Sequence, residues 1–223
     1  MVMNVQRGVP VVDRAAVCDR TAQIRMQSDR ARARAEQAQV DAESLTSRIR
    51  IAALDRPRDR ARFAGVDFLD PYFLAATPPP ALLQALLECI TDATDVQVCD
   101  AQQVDAVHGG LRLVAHRGMS RPFLDYFAVV DGRGTACAQA ARTGRPVSVG
   151  DVATSGLYSQ DSRQVMLEAG SRAVRSVPLC TPGGPVMAMV SVHHRAPNGL
   201  RDVDTDLLGA LARAAARALH WHH

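Results

Sequence analysis

DGRGTACAQAARTGRPVSVGDV, residues 131–152, is the most informative run of this chain. Two glycines form a tight loop, and a cysteine follows at the start of a short helix that Gly144 closes. A strand over 146–152 comes next. Three chemistries fit such a loop and helix start: a phosphate cradle, an activated thiolate, or one wall of a ligand pocket. They lead respectively to a nucleotide enzyme, a redox enzyme and a sensor.

Composition bears on the first. All 26 basic residues are arginine. A Walker-type phosphate loop, a Schiff base and a lysine general base are therefore excluded. No strand leads into Gly132-Arg133-Gly134 with the spacing of a dinucleotide fold, so anion binding would rest on the helix N-terminus alone.

Charge is unevenly spread. Residues 1–62 hold 13 Arg against 8 acidic residues, and residues 63–223 hold 13 against 15. Any affinity for a polyanion belongs to the N-terminal segment. No apolar run is long enough to span a membrane, and the N-terminus lacks a charged-then-apolar signal pattern, so a cytoplasmic location and no membrane partner are expected. Cys18, Cys89, Cys99, Cys137 and Cys180 form no CxxC pair and no disulfide framework.

Residues 13–54 contain neither Pro nor Gly and read as one long helix. A heptad seam runs through Val17, Thr21, Ile24, Ser28, Ala31, Ala35, Ala38, Ala42, Leu45, Ile49 and Ala52. Pro57 ends it. An N-terminal helical segment, possible as a coiled coil, is assigned to 1–56, and an apolar, Pro-rich connector to 57–79. Phe63, Phe68, Tyr72, Phe73 and Leu74 of that connector need burial, across the domain or against a second subunit. The prolines at 78–80 open the next helix.

From residue 80 the punctuation is regular. A helix is expected over 81–90, strands over 95–100 and 109–118 joined as a hairpin, and helices over 122–130 and 135–144. A strand over 146–152, a helix over 162–170, strands over 173–180 and 184–194 and a final helix over 201–221 follow. The final helix carries Leu207, Leu208, Leu211, Ala215, Ala218 and Leu219 on one broad stripe.

LRLVAHRGMSRPFLDYFAVV (111–130), GTACAQAARTGRPVSVGDV (134–152) and GSRAVRSVPLCTPGGPVMAMVSVHHRAP (170–197) stand in this order at these intervals. Together they resemble the GAF domain, common in bacterial signalling proteins, over 80–223. The resemblance implies an α+β fold, a GAF/PAS-like antiparallel sheet flanked by helices, here preceded by a long N-terminal helix. It also implies a small-molecule-sensing or dimerisation module, with ligands in the family ranging from cyclic nucleotides, haem and bilins to amino-acid derivatives. No effector domain follows the last helix, so the expected output runs through an unidentified partner protein. A homodimer through helices is expected, and the sequence names no cofactor.

In that fold, helices between the hairpin and the central strands enclose a cavity. The candidate lining is Phe123, Phe127, Cys137, Val149, Tyr158, Met166, Ser176 and Met189, whose aromatic, sulfur and hydroxyl groups suit a small, partly apolar ligand. The competing reading is that they simply fill core.

Two alternatives stay open. GRGTAC resembles the GRG-x-C segment of the free methionine-R-sulfoxide reductases, which share the fold, and a cysteine near a helix N-terminus can become a thiolate. That family places a further redox cysteine beyond the following strand; here 153–166 has none, and Cys137 stands one position later. The other alternative is a nucleic-acid-binding regulator using the Arg-rich helix, although a solvated charged face explains that helix more simply.

No metal site is expected. His193 and His194 are adjacent on a strand and face opposite ways. His108 is in a turn, His116 shares a solvent face with Arg112, and His220, His222 and His223 crowd the C-terminus around Trp221.

Overall fold

The computed structural model describes residues 31–32, 34–35, 66–105, 107, 109–181 and 183–222. Residues 31–32 and 34–35 are helical and exposed. The rest of the expected helix over 13–54, with all of its seam but Ala31 and Ala35, and Phe63, His108, Cys18 and His223, lie outside the described residues.

Six strands form one antiparallel sheet in the order β3-β2-β1-β6-β5-β4. They are β1 (Val98–Val104), β2 (Leu111–Arg117), β3 (Val129–Val130), β4 (Val147–Val149), β5 (Ala173–Cys180) and β6 (Val186–His194). Around them lie α1 (Pro71–Ala76), α2 (Pro79–Ala93), α3 (Arg121–Tyr126), α4 (Ala136–Thr143), α5 (Gln160–Glu168) and α6 (Thr205–Trp221).

Side chains alternate across a strand, so the two faces of β1, β5 and β6 carry different sequences. Cys99, Ala101, Val177, Leu179, Ala188, Val190 and Val192 face the main core. There they meet Leu82, Leu83, Leu86, Leu87 and Ile90 of α2, all at most 1% exposed. Helical spacing puts these five on one stripe, and burying each contributes about 1.5–3 kcal/mol. The stripe of α6 is buried in the same core. Asp204 caps α6, accepting from the backbone N–H of Asp206 and Leu207.

The connector contributes to this core as well. Asp70 caps α1 by accepting from Tyr72 and Phe73 N–H. Phe68, Leu69, Leu74 and Ala75 are buried, whereas Tyr72 and Phe73 face outward at 61% and 37% exposure. A six-residue helix has one inner face, and these two rings are not on it.

Several element boundaries differ from the sequence reading: the strand expected over 146–152 is only Val147–Val149, the final helix begins at Thr205, and two further differences shape the site. The first hairpin strand runs over Val98–Val104 rather than 95–100. The Gln102-Gln103 pair looks like turn sequence but pairs on both sides, with β2 and with β6. The helix expected over 122–130 stops at Tyr126, and Val129 and Val130 leave it to pair with Arg112 and Leu111 at the sheet edge. β-branched residues gain more from that edge than from another helical turn.

Candidate functional site

The opposite sheet face positions the site. Asp100 and Gln102 on β1, Val174 and Ser176 on β5, and Ser191 and His193 on β6 point to it. Ladder register sets Asp100, Ser191 and Ser176 in one row across three strands. The β1–β2 pairing slips between Ala101 and Gln102, a bulge beside the site.

These polar groups are buried. Asp100, Gln102, Ser176, Ser191 and His193 are each at most 4% exposed. Buried polar groups carry a desolvation cost unless paired. His193 Nε2 lies 2.9 Å from Asp100 Oδ2, and its Nδ1 lies 2.7 Å from Ser171 Oγ. A carboxylate only accepts, so Nε2–H donates to Asp100. Ser176 and Ser191 hydroxyls bond to each other at 2.9 Å. Gln102 Oε1 is buried without a partner.

Apolar residues roof this floor. Phe123 of α3 and Phe127, at the end of that helix, contact each other with ring centroids 4.6 Å apart. Phe123 stands edge-on to His193 at 5.7 Å. Tyr158 and Met166 of the α5 region, Thr135 at the cap of α4 and Cys137 within it complete the enclosure, leaving an internal cavity of about 20 Å³. That is room for about one water.

The 131–152 stretch builds one wall. Thr135 Oγ1 accepts from Ala138 N–H as the α4 cap, and Gly144 closes the helix in the left-handed conformation at φ 63°. Gly134 has φ 91°, and a Cβ there would stand 3.2 Å from Ser159 N, so the loop can lean on the start of α5 only as glycine. The inner side of the helix start faces the cavity. Its outer side, with Asp131, Arg133, Gln139 and Arg142, borders an open cleft of about 850 Å³ that reaches Val104 and Leu111 of the hairpin.

Burial pushes the Cys137 thiol up to about 11, with the hydrogen bond from Thr135 Oγ1 (3.2 Å) opposing it only in part. Burial likewise pushes the Tyr158 hydroxyl above its ordinary value.

Of the eight residues expected at the pocket, the structure brings Phe123, Phe127, Cys137, Tyr158, Met166 and Ser176 around the cavity. Val149 packs in the same apolar cluster as Phe123 but behind the wall. Met189 lies on the same sheet face but under α4 with Leu111 and Ala140. Sequence reasoning missed Asp100, Gln102, Thr135, Val174, Ser191 and His193. The signal for Asp100 and Gln102 was their alternation with Cys99 and Ala101; ending the strand at residue 100 concealed it.

The sequence model of the GAF domain matches residues 76–220. The chain belongs to the GAF domain family. GAF domains are typical of sensory and signalling modules. No curated protein matches the chain. Among solved structures, this GAF domain is similar to free methionine-R-sulfoxide reductase from Neisseria meningitidis in complex with its substrate: 20% identity, TM-score 0.56, covering 70% of this chain and 88% of that one. It is similar to the GAF domain/HD domain protein from Geobacter sulfurreducens, with 16% identity, TM-score 0.52 and coverage of 65% and 94%. The GAF domain of Acinetobacter phosphoenolpyruvate-protein phosphotransferase gives 15%, 0.52, 70% and 93%. At these identities the likeness is one of fold. Among the described residues, no helix of the GAF domain is long and apolar enough to cross a membrane.

Proposed function

We propose that this GAF domain is a small-molecule-sensing and dimerisation module that acts through a partner protein, and that the enclosed pocket over β1, β5 and β6 is its ligand site. One observation carries the reading. The floor of the pocket is polar and buried, with Asp100, Gln102 and His193 each at most 4% exposed, where a face that only filled core would be apolar. Phe123, Phe127, Cys137, Tyr158, Met166 and Ser176 are the proposed lining, with Val149 and Met189 supporting it from behind.

The cavity is too small for more than a water, so ligand entry requires the roof to lift. α3 is suited to this. It has six residues, and Ser120 gives it no side-chain cap bond. A long Tyr126 Oη to Ser162 Oγ contact of 3.4 Å links its end to α5. Movement of α3 on ligand binding is the proposed signal. The exposed Tyr72 and Phe73 rings of α1 are apolar surface that pairing of two copies would cover.

A redox enzyme needs an accessible thiolate. Cys137 is half-buried with its side chain on the cavity, and its thiol, raised to about 11, supports sensing over sulfoxide reduction. Methionine sulfoxide turnover that disappears in Cys137→Ser would reverse that preference.

Native mass spectrometry of the purified protein, with an absorbance spectrum of the same sample, tests the proposal. A dimer carrying added small-molecule mass is the expected result. A bare monomer at micromolar concentration would remove the dimer from the account.

A further inference from the structure

We infer that the inner end of the pocket takes the ammonium head of a small primary amine, held between Asp100 Oδ1 and Gln102 Oε1. The inference rests on reading this cavity as the ligand site and names the chemistry of what enters it.

Two acceptors in the cavity lack a donor among the described residues. Asp100 Oδ2 accepts from His193, and Oδ1 has no hydrogen-bond partner among the described residues. Gln102 Oε1 is a second acceptor without a donor, on a side chain 2% exposed that lines the cavity. The Ser176–Ser191 bond uses one of the pair's two hydroxyl hydrogens. Neither arginine nor lysine lines the cavity. Asp100 and Gln102, on one face of β1, therefore present two acceptors that no donor of the described residues meets, beside the hydroxyls of Thr135 and Tyr158. An anion would meet the Asp100 charge and is disfavoured. A water supplies two donors but no charge. An ammonium supplies three donors and a positive charge, and charge-assisted hydrogen bonds are roughly twice as strong as neutral ones. Phe123, Phe127 and Met166 offer apolar surface to the carbon chain of the amine.

Gln102 is also the residue that separates a ligand role from a structural one. An unpartnered buried carbonyl destabilises the free protein. If Oε1 exists to meet a ligand, Gln102→Met, similar in volume and apolar, raises the Tm of the free protein while weakening the amine. If Gln102 serves the fold, the same change lowers Tm.

The test is titration of isotope-labelled full-length protein with four probes of equal length, n-butylammonium, butyramide, butanol and butyrate, read by amide NMR. The expected result is saturable shifts at Asp100, Gln102, Ser191 and His193 with butylammonium, about tenfold weaker shifts with butyramide, and none with butyrate. Gln102→Met is expected to weaken butylammonium about tenfold and to raise Tm. Should that variant not fold, Asp100→Asn is expected to bring butylammonium down to the level of butyramide. Butyrate or butanol shifting these amides while butylammonium does not would overturn the amine assignment and leave the pocket as a ligand site. Butylammonium that shifts none of them would overturn it too, and amide NMR against a metabolite library then decides the pocket itself.

Discussion

His193 Nε2–H donates to Asp100 Oδ2 at 2.9 Å across 93 residues of chain, and both side chains are 4% exposed. The bond joins the first strand of the sheet to the last and fixes the imidazole beneath Phe123. Its Nδ1 partner, Ser171, holds the ring from the other side.

Removing one partner leaves the other buried and unpaired, which costs more than the bond itself contributes. Asp100→Ala is expected to destabilise by about 3 kcal/mol. His193→Ala falls in a similar range. The double variant is expected to lose clearly less than the two single losses together, because Asp100 and His193 then no longer strand each other. Urea denaturation of the four proteins checks this, and simple additivity would refute the coupling.

The thiols give a second prediction. Burial raises Cys99 to about 12 and both Cys89 and Cys137 to about 11. A raised value means the thiol stays protonated, and only the thiolate attacks. At pH 8 in the native state these three are expected to react with a disulfide reagent far more slowly than in urea. Mass mapping of labelled cysteines over time measures it. Fast native labelling of Cys137 would return the redox reading to the foreground.

Asp151 and Arg172 form a two-point ion pair, Nε to Oδ1 at 2.9 Å and one terminal nitrogen to Oδ2 at 2.8 Å. The Arg172 hydrogen bonds hold the Asp151 carboxyl below its ordinary value. A depressed carboxylate stabilises the fold fully above its unfolded value of about 3.9, and that contribution is lost as pH falls through the folded value. Asp151→Asn is therefore expected to flatten the fall in urea midpoint below about pH 4. A parallel curve for the variant would contradict the assignment.

Gly144 ends α4 at φ 63°, and nothing lies within 4 Å of where its Cβ would be. Any cost of Gly144→Ala is thus conformational, about 1 kcal/mol. Gly134 combines φ 91° with close contact to Ser159 N, so Gly134→Ala is expected to cost more. Paired thermal unfolding of the two variants gives the order.

What could be read from the sequence was what local chemistry determines. The leucines of α2 at helical spacing, the Gly144 stop of α4, and the alternation of β5 and β6 each lie within a few residues of chain. The two-residue β3 was not legible, since its strand character comes from the neighbouring β2 edge. His193 and His194 were correctly set on opposite faces, but which face is internal depends on α3, some 70 residues away. Asp100 and Gln102 escaped notice because a buried polar pair in a strand resembles the start of a turn until its partners are known. The outward rings of Tyr72 and Phe73 show the converse: apolar composition demands burial, yet the geometry of a short helix leaves two of its residues outside.

The central claim is that the polar cavity beneath Phe123 and Phe127 is a ligand site. Amide NMR of the labelled full-length protein against a metabolite library tests it most directly. The account predicts that at least one compound shifts Asp100, Ser176, Ser191 and His193 saturably, moves the amides of α3 with them, and loses that effect in Ser176→Val. A screen in which no compound shifts these amides, or in which every shift falls on the open cleft around Arg133 and Arg142, would contradict it.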